Sequence, residues 1–314
     1  MYKKIIEKIE EYDQIALYRH VNPDFDAFGS QFGMYDLLKT TYPDKEIYLC
    51  GDFSSELVSK YQVPFELKPV NYQKDTLAII LDSANQPRID DQNYQLCKEI
   101  IKIDHHIVVD EYETIGLVDS SASSASQLVT DLFTNTDLKI TPAGASALYM
   151  GIIGDTSRFL YESTDQRTFK AAEALLDTGI KITEIYDSMY LKKAADLNVN
   201  RFILNNYQVD DHVAYYILTN DNLTELNISR SKGSDYVNLL SGIEEYYIWM
   251  AITENQDDHN WRVSLRSRNY PVNIVAEKYR GGGHRLASGA RLNSLDELDN
   301  LLNDLKELIN EYNQ

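Results

Sequence analysis

The chain has 314 residues, enough for two domains of ordinary size and a substantial buried core. Its net charge of -19 excludes a broad basic face for gripping long nucleic acid. Either the partner is not nucleic acid, or it is a small phosphorylated molecule met by a local cationic site; a bound metal would also change the local sum.

The elements follow in chain order. "YKKIIEKIEEY" reads as an amphipathic helix of mixed charge rather than a signal peptide. "QIALYRH" reads as a buried strand, "FGSQFGMYDLLKTTY" as a helix, "KEIYLCG" as a strand and "SSELVSKY" as a short helix. "TLAIILD" and "EIIKIDHH" are two further strands, each a short apolar run ending in charge. This alternation predicts an open, largely parallel α/β sheet flanked by helices. Beyond residue 120 the pattern is helical: "SASSASQLVTDLFTNT" starts on capping residues, "TPAGASALYMGIIGD" has proline in its first turn, and "STDQRTFKAAEALLDTG" runs from a cap to a glycine. A smaller α/β unit follows. Its strands are "YQVDDHVAYYILT", "EEYYIWMAITE" and "NWRVSLRSR", and its helices are "PVNIVAEKY" and "SLDELDNLLNDLKELINEY". The expected division is 1–190, a helical linker 191–206, and 207–314, although no Pro/Gly/Ser-rich stretch marks it. The longest apolar runs, "LAIIL" and "LYMGII", are too short to span a bilayer. Cys50 and Cys97 are isolated, form no metal-ligand spacing and fit a reducing cytoplasm.

Three clusters of acids and histidines each follow a predicted strand. His20, Asp24 and Asp26 follow "IALY", Asp82 follows "LAIIL", and Asp104, His105 and His106 follow "IIKI". In open α/β sheets, ligands bind outside the carboxyl ends of the strands, so the three clusters point to one sheet edge. Asp155 closes the helical run "YMGIIGD" and comes in from the flank. Carboxylates with imidazoles suit hard divalent cations and manganese-like transition metals. Two metals about 3.5–4 Å apart need a shared carboxylate. Asp24, Asp26, Asp82 and Asp155 together balance two divalent cations, which relieves their mutual repulsion. Taken singly, Asp24 and Asp26 in "NPDFD" read as a turn or helix cap, and Asp82 as a cap. Their joint placement turns the reading to a metal site.

The second unit carries a local cationic patch. Between Trp261 and Arg291 lie Arg262, Arg266, Arg268, Lys278, Arg280, Arg285 and Arg291, against the single acid Glu277. Strand alternation sets Arg262, Ser264, Arg266 and Arg268 on one face, opposite Trp261, Val263 and Leu265. The face is a solvated surface or a phosphate cradle, for which arginine forks are suited. Gly281, Gly282 and Gly283 before His284 permit close backbone approach to a ligand, or end a helix. Ser123 or Ser124 reads as a helix cap before a substrate contact. "LDELDNLLNDLKELI" reads as a packing helix.

"HVNPDFDAFGS", "LDSA", "IDHH" and "GIIGDTSRF", in that order, resemble the four metal-site motifs of the DHH phosphoesterase superfamily. "WRVSLRS" followed by "VAEKYRGGGHRLASGA" resembles the DHHA1 substrate-binding domain. Size and layout are similar to the stand-alone bifunctional oligoribonuclease and pAp phosphatase group. That resemblance implies a manganese-dependent phosphodiesterase. It would hydrolyse very short 5'-phosphorylated oligoribonucleotides, such as nanoRNA or the pApA of cyclic di-AMP turnover, to mononucleotides, and also pAp to AMP. His20, Asp24 and Asp82 would hold one metal. Asp26, Asp82, His105 and Asp155 would hold the other, with Asp82 bridging and a water between the metals as nucleophile. Asp104 would orient the histidines, and His106 would face the substrate phosphate. Arg266, Ser267, Gly282, Gly283 and His284 would hold the 5' end, with the active site in the cleft between the domains. Ser157 departs from the pattern, standing where many relatives have glycine. The implied partners are short RNA or phosphorylated nucleotides, with no long nucleic acid and no membrane; a homodimer is compatible with the reading. The alternatives are a manganese-dependent pyrophosphatase, which would lack the "RVSLRS" and "GGGH" elements, and a non-catalytic nucleotide-binding regulator, against which the complete ligand set argues.

Overall fold

The apolar runs of the first half pair as one parallel sheet. The computed structural model describes residues 1–313, and the chain divides into two units after Leu191. The first contains α1 (Tyr2–Glu11), β1 (Gln14–Tyr18), α2 (Phe25–Thr41), β2 (Glu46–Leu49), β3 (Thr76–Leu81), β4 (Glu99–Asp104) and β5 (Ile115–Val118). The helices α3 (Ala125–Thr134), α4 (Pro142–Asp155), α5 (Gln166–Leu176) and α6 (Ile182–Tyr190) complete it. Strand order is β2-β1-β3-β4-β5, all parallel. β1 and β3 are buried along their whole length, as expected for parallel strands covered on both faces. Ile15, Leu17, Leu77, Ile79, Ile101 and Ile103 face the helical layer, where Phe28, Phe32, Leu128 and Leu148 meet them. On the other face Ala16, Tyr18, Ala78 and Ile80 lie beneath Ile89 and Tyr94, from a segment of short 3-10 turns. "SSELVSKY" also forms a 3-10 turn, Glu56–Lys60, rather than an α-helix. β5 is an unforeseen strand of four residues.

α2 is the central helix, with every residue from Asp26 to Leu38 buried. Glycines let it lie close against α4: a Cβ on Gly29 would come 2.6 Å from the Ala147 carbonyl oxygen. Gly151 on α4 faces α3 and the site at once. A Cβ there would overlap Ser126 Oγ and fall 2.8 Å from Asp26 Oδ1. Gly151→Ala is therefore expected to cost about 1–3 kcal/mol by overpacking, read as a lowered urea midpoint. Adding Ser126→Gly should return part of that loss; a single variant as stable as wild type would show that the helices part freely.

The second unit runs α7 (Asp196–Asn206), β6 (Gln208–Asp210), β7 (Val213–Leu218), α8 (Asn220–Glu225), β8 (Ile248–Asn255) and β9 (Asn260–Ser267). It continues with α9 (Val272–Lys278), β10 (Gly282–His284), β11 (Ala287–Leu292) and α10 (Leu298–Tyr312). Its sheet has the order β10-β11-β9-β8-β7-β6, antiparallel except for the β7–β8 pair. α9 and α10 cover one face, with Leu301, Leu305 and Leu308 against Val263 and Leu265. On the other face α7 packs Val199 and Ile203 against Ala214, Tyr216 and Trp249. "YQVDDHVAYYILT" is a hairpin rather than one strand, because the chain turns at Asp211 with φ +56°. The strand expected over "EEYYIWMAITE" begins only at Ile248. No helix among the described residues is long and apolar enough to cross a membrane.

Candidate metal centre

β1, β3 and β4 are neighbours, so the residues that follow their carboxyl ends meet. Asp82 leaves β3 in a left-handed conformation, φ +49°, while its amide still donates to the Ile103 carbonyl at 3.0 Å. Its two oxygens face different partners. Oδ2 lies 3.3 Å from His20 Nε2, and Oδ1 lies 3.4 Å from His105 Nε2. His20 Nδ1 is 2.7 Å from the Val21 carbonyl, which can only accept, so the proton sits on Nδ1 and neutral His20 offers Nε2 as a ligand.

Asp24 is the helix cap that one of its readings expects, and its second oxygen stays turned to His20. As the N-cap of α2, its Oδ1 accepts from the Asp26 and Ala27 amides, each at 3.0 Å. Its Oδ2 lies 3.8 Å from His20 Nε2. Asp26, fully buried, accepts from the first amides of α3: Ala125 N at 2.6 Å on Oδ2 and Ser126 N at 2.8 Å on Oδ1. His105 Nε2 lies 3.9 Å from Asp26 Oδ2 and 3.2 Å from Asp155 Oδ2. Thus His20, Asp24 and Asp82 converge, as do Asp26, His105 and Asp155, the ligand atoms of each group within 4.8 Å of one another. Asp82, His105 and His106 form a third such group, which brings His106 within ligand reach.

The electrostatics fit a cation. Burial, then the charges of Asp82 and Asp155, raises Asp26 well above the usual carboxylate range. Burial likewise raises Asp155 to about 6, with Asp24 and Asp82 adding to it. Burial also opposes charge on Asp82, but the His105 and His20 hydrogen bonds overcome it and hold the carboxyl low. Burial lowers His20 and His105, and their acidic neighbours outweigh it, leaving His20 at about 9 and His105 at about 12. Protons on these imidazoles occupy the place where a divalent cation would neutralise the cluster. Asp82 Oδ1 is buried without a hydrogen-bond partner, and mixed oxygen and nitrogen donors suit a transition-metal dication.

Asp104 accepts from the His106 amide at 3.3 Å and lies 2.7 Å from His106 Nδ1, both through Oδ1. Burial opposes its charge, yet the His106 hydrogen bond leaves it below its ordinary value. Behind it stands a residue that sequence reasoning passed over. Lys102 has 1% of its side chain exposed, and its Nζ lies 3.4 Å from Asp104 Oδ2 and 3.2 Å from the Ala84 carbonyl. Its signal was a lysine two positions before the motif aspartate on a strand buried on both faces. The α3 amides on Asp26 were also missed; Ser124 does cap α3, accepting from Gln127 N.

Past Asp155 the chain makes three consecutive left-handed residues, Ser157 (φ +47°), Arg158 (φ +65°) and Phe159 (φ +66°). This conformation explains why glycine suits position 157. Ser157→Gly is expected to raise stability by about 0.5–1 kcal/mol, read in urea unfolding; an unchanged or lower midpoint would show that Ser157 is not strained.

In the second unit, strand register sets three rungs on one sheet face. Trp249, Arg266, Ala287 and His284 form the first, Ala251, Ser264, Gly289 and Gly282 the second, and Thr253, Arg262 and Arg291 the third. Arg266 and His284 thus share a rung with Ala287 between them, and Gly282 lies one rung on. Gly283 (φ +141°) pairs with Ser288, and a Cβ there would come 2.8 Å from the Ala287 carbonyl oxygen. Ser267 lies on the opposite face with Leu265, and its hydroxyl donates to the Tyr270 carbonyl at 2.5 Å. Arg268 lies beyond the strand and donates to the Ile243 carbonyl.

Residues 14–152 match the DHH family N-terminal domain, and residues 210–311 match the DHHA1 domain. The chain is 37% identical to the bifunctional oligoribonuclease and PAP phosphatase NrnA of Bacillus subtilis (strain 168), over 99% of this chain and 100% of that protein. It is 35% identical to the probable bifunctional oligoribonuclease and PAP phosphatase NrnA of Streptococcus mutans, over 98% and 99% of the two chains. A solved structure of an exopolyphosphatase-related protein from Bacteroides fragilis shares the fold, with a TM-score of 0.88 and 23% identity over 98% of this chain and 97% of its own. With both domain matches in tandem and relatives this similar along the full length, the chain belongs to the DHH family, its DHH domain followed by a DHHA1 domain.

Proposed function

We propose that this DHH-family phosphoester hydrolase cleaves very short 5'-phosphorylated oligoribonucleotides, pApA among them, to mononucleotides, and removes the 3'-phosphate of pAp, with two manganese ions as cofactors. The observation that carries the reading is the convergence of the ligand groups on Asp82 and His105. The full-length similarity to proteins named as oligoribonuclease and pAp phosphatase supports the substrate class.

The chain's own residues would act as follows. His20, Asp24 and Asp82 hold one cation, and Asp26, Asp82, His105 and Asp155 the other. Two divalent cations there supply a lowered pKa for water and positive charge for the phosphoryl oxygens. Asp104 fixes His106 through its Nδ1, leaving Nε2 to hydrogen-bond a phosphate oxygen. Arg266 and His284 offer cationic and hydrogen-bonding groups to a 5'-phosphate, with Gly282 and Gly283 permitting close backbone approach. Ser267 supports that rung by tying its strand to Tyr270.

The test is a panel of pApA, pAp, cyclic di-AMP, a long RNA and pyrophosphate, each offered with manganese and with magnesium. Hydrolysis of pApA and pAp, fastest with manganese, is the expected result. Turnover of pyrophosphate alone would replace the reading with a pyrophosphatase, and turnover of nothing would remove the enzyme.

A further inference from the structure

The third rung of the second sheet holds an uncompensated pair of charges. Register sets Arg262 of β9 directly opposite Arg291 of β11, on the face away from α9 and α10. Both are exposed, and neither guanidinium makes a side-chain hydrogen bond or ion pair with a described residue. Like charges directly opposite on neighbouring strands are destabilising. The chain has acids to spare, yet none answers these two. The contrast is local: Arg230, at the same cavity, pairs with Asp257 at 2.8 Å, and Arg280 pairs with Glu297.

The two free arginines line a cavity of about 310 Å³, which Ser231, Ser234 and Ser264 also line. Its size lies at the lower end of small-ligand cavities, roughly 300–1,000 Å³. Gly281 and Gly289 bring backbone to its wall: a Cβ on Gly281 would overlap the Gly289 carbonyl, so residue 281 cannot carry a side chain without moving β11. Arginine forks with hydroxyl donors beside bare glycine backbone suit phosphate oxygens. The pair stands four residues along β9 from Arg266, about 13 Å at roughly 3.3 Å per residue. The two places lie on different rungs, with the Ser264–Gly289 rung between them.

We propose that Arg262 and Arg291 form a second anion site, for an oligophosphate group carrying two or more phosphates. The group would remove the repulsion between the two guanidiniums. It belongs either to a free nucleotide or to the downstream part of an oligonucleotide; the second source rests on the proposed function, the first does not.

The primary test titrates inorganic tripolyphosphate into the full chain, with divalent metals removed by chelator so that no phosphate binds through a metal. Saturable binding is expected, weakened at least tenfold in Arg262→Gln/Arg291→Gln and less than threefold in Arg266→Ala. No saturable binding, or binding that follows Arg266 instead, would overturn the site. Without ligand, Arg291→Gln should unfold at an equal or higher temperature, since it removes repulsion. A lower midpoint would make the pair structural and also count against the site. Metal-loaded enzyme then separates the sources. A KM that rises at least fivefold for a 5'-phosphorylated pentanucleotide but not a dinucleotide assigns the site to substrate. Unchanged KM for both, with tripolyphosphate binding lost, assigns it to a free nucleotide. Absence of any hydrolysis would defeat the proposed function while the titration still decides the site.

Discussion

Asp82→Asn is expected to lower hydrolysis of pApA by about a thousandfold or more while leaving the fold intact. The substitution keeps the shape of the side chain and removes its charge. Oδ2 faces His20 and Oδ1 faces His105, so this carboxylate is the one group that belongs to both ligand sets in the proposed assignment. Neutralising it weakens both cation sites at once, whereas loss of Asp24 or Asp155 leaves one set complete. The measurements are turnover, metal content after dialysis, and circular dichroism. Activity within tenfold of wild type, or two metals retained per chain, would refute the bridging assignment.

The second large effect falls on stability. Lys102→Met should destabilise the first unit by about 3 kcal/mol, because it leaves the buried Asp104 carboxylate without its nearest fixed cation. Lys102 and Asp104 each have 1% of the side chain exposed, and Asp104 Oδ2 has no hydrogen-bond partner of its own. Adding Asp104→Asn should restore much of the loss, since the double variant leaves no uncompensated charge. Urea unfolding of the single and double variants measures the coupling. A single variant as stable as wild type would mean that His106 alone balances Asp104.

The parts legible in the sequence were those with a local cause. Short apolar runs fixed on buried strands, and the acids and histidines after them converge because parallel strands present their carboxyl ends together. Asp24 could be read as cap or ligand from "NPDFD"; one oxygen caps the helix and the other is left facing His20. What escaped notice depends on distant partners. The glycines of β10 read as a ligand approach or a helix end until β11 pairs with them, and β5 is too short for periodicity to register. Lys102 looks like a solvated charge unless the covering of both sheet faces is known. The pairing of Arg262 with Arg291 is likewise a fact of register, invisible in either strand alone. Ser267 was grouped with Arg266 by the DHHA1 resemblance, whereas strand alternation sends the two to opposite faces.

Asp24 has one further consequence. Because one oxygen ties down the opening amides of α2 and the other faces His20, a charge captured at the centre pulls on the same carboxylate that closes the helix. If Asp24 serves as a ligand, the amides of Asp26 and Ala27 should exchange hydrogen at rates that change when a divalent cation is added without substrate; unchanged rates would show that the cap and the centre are independent.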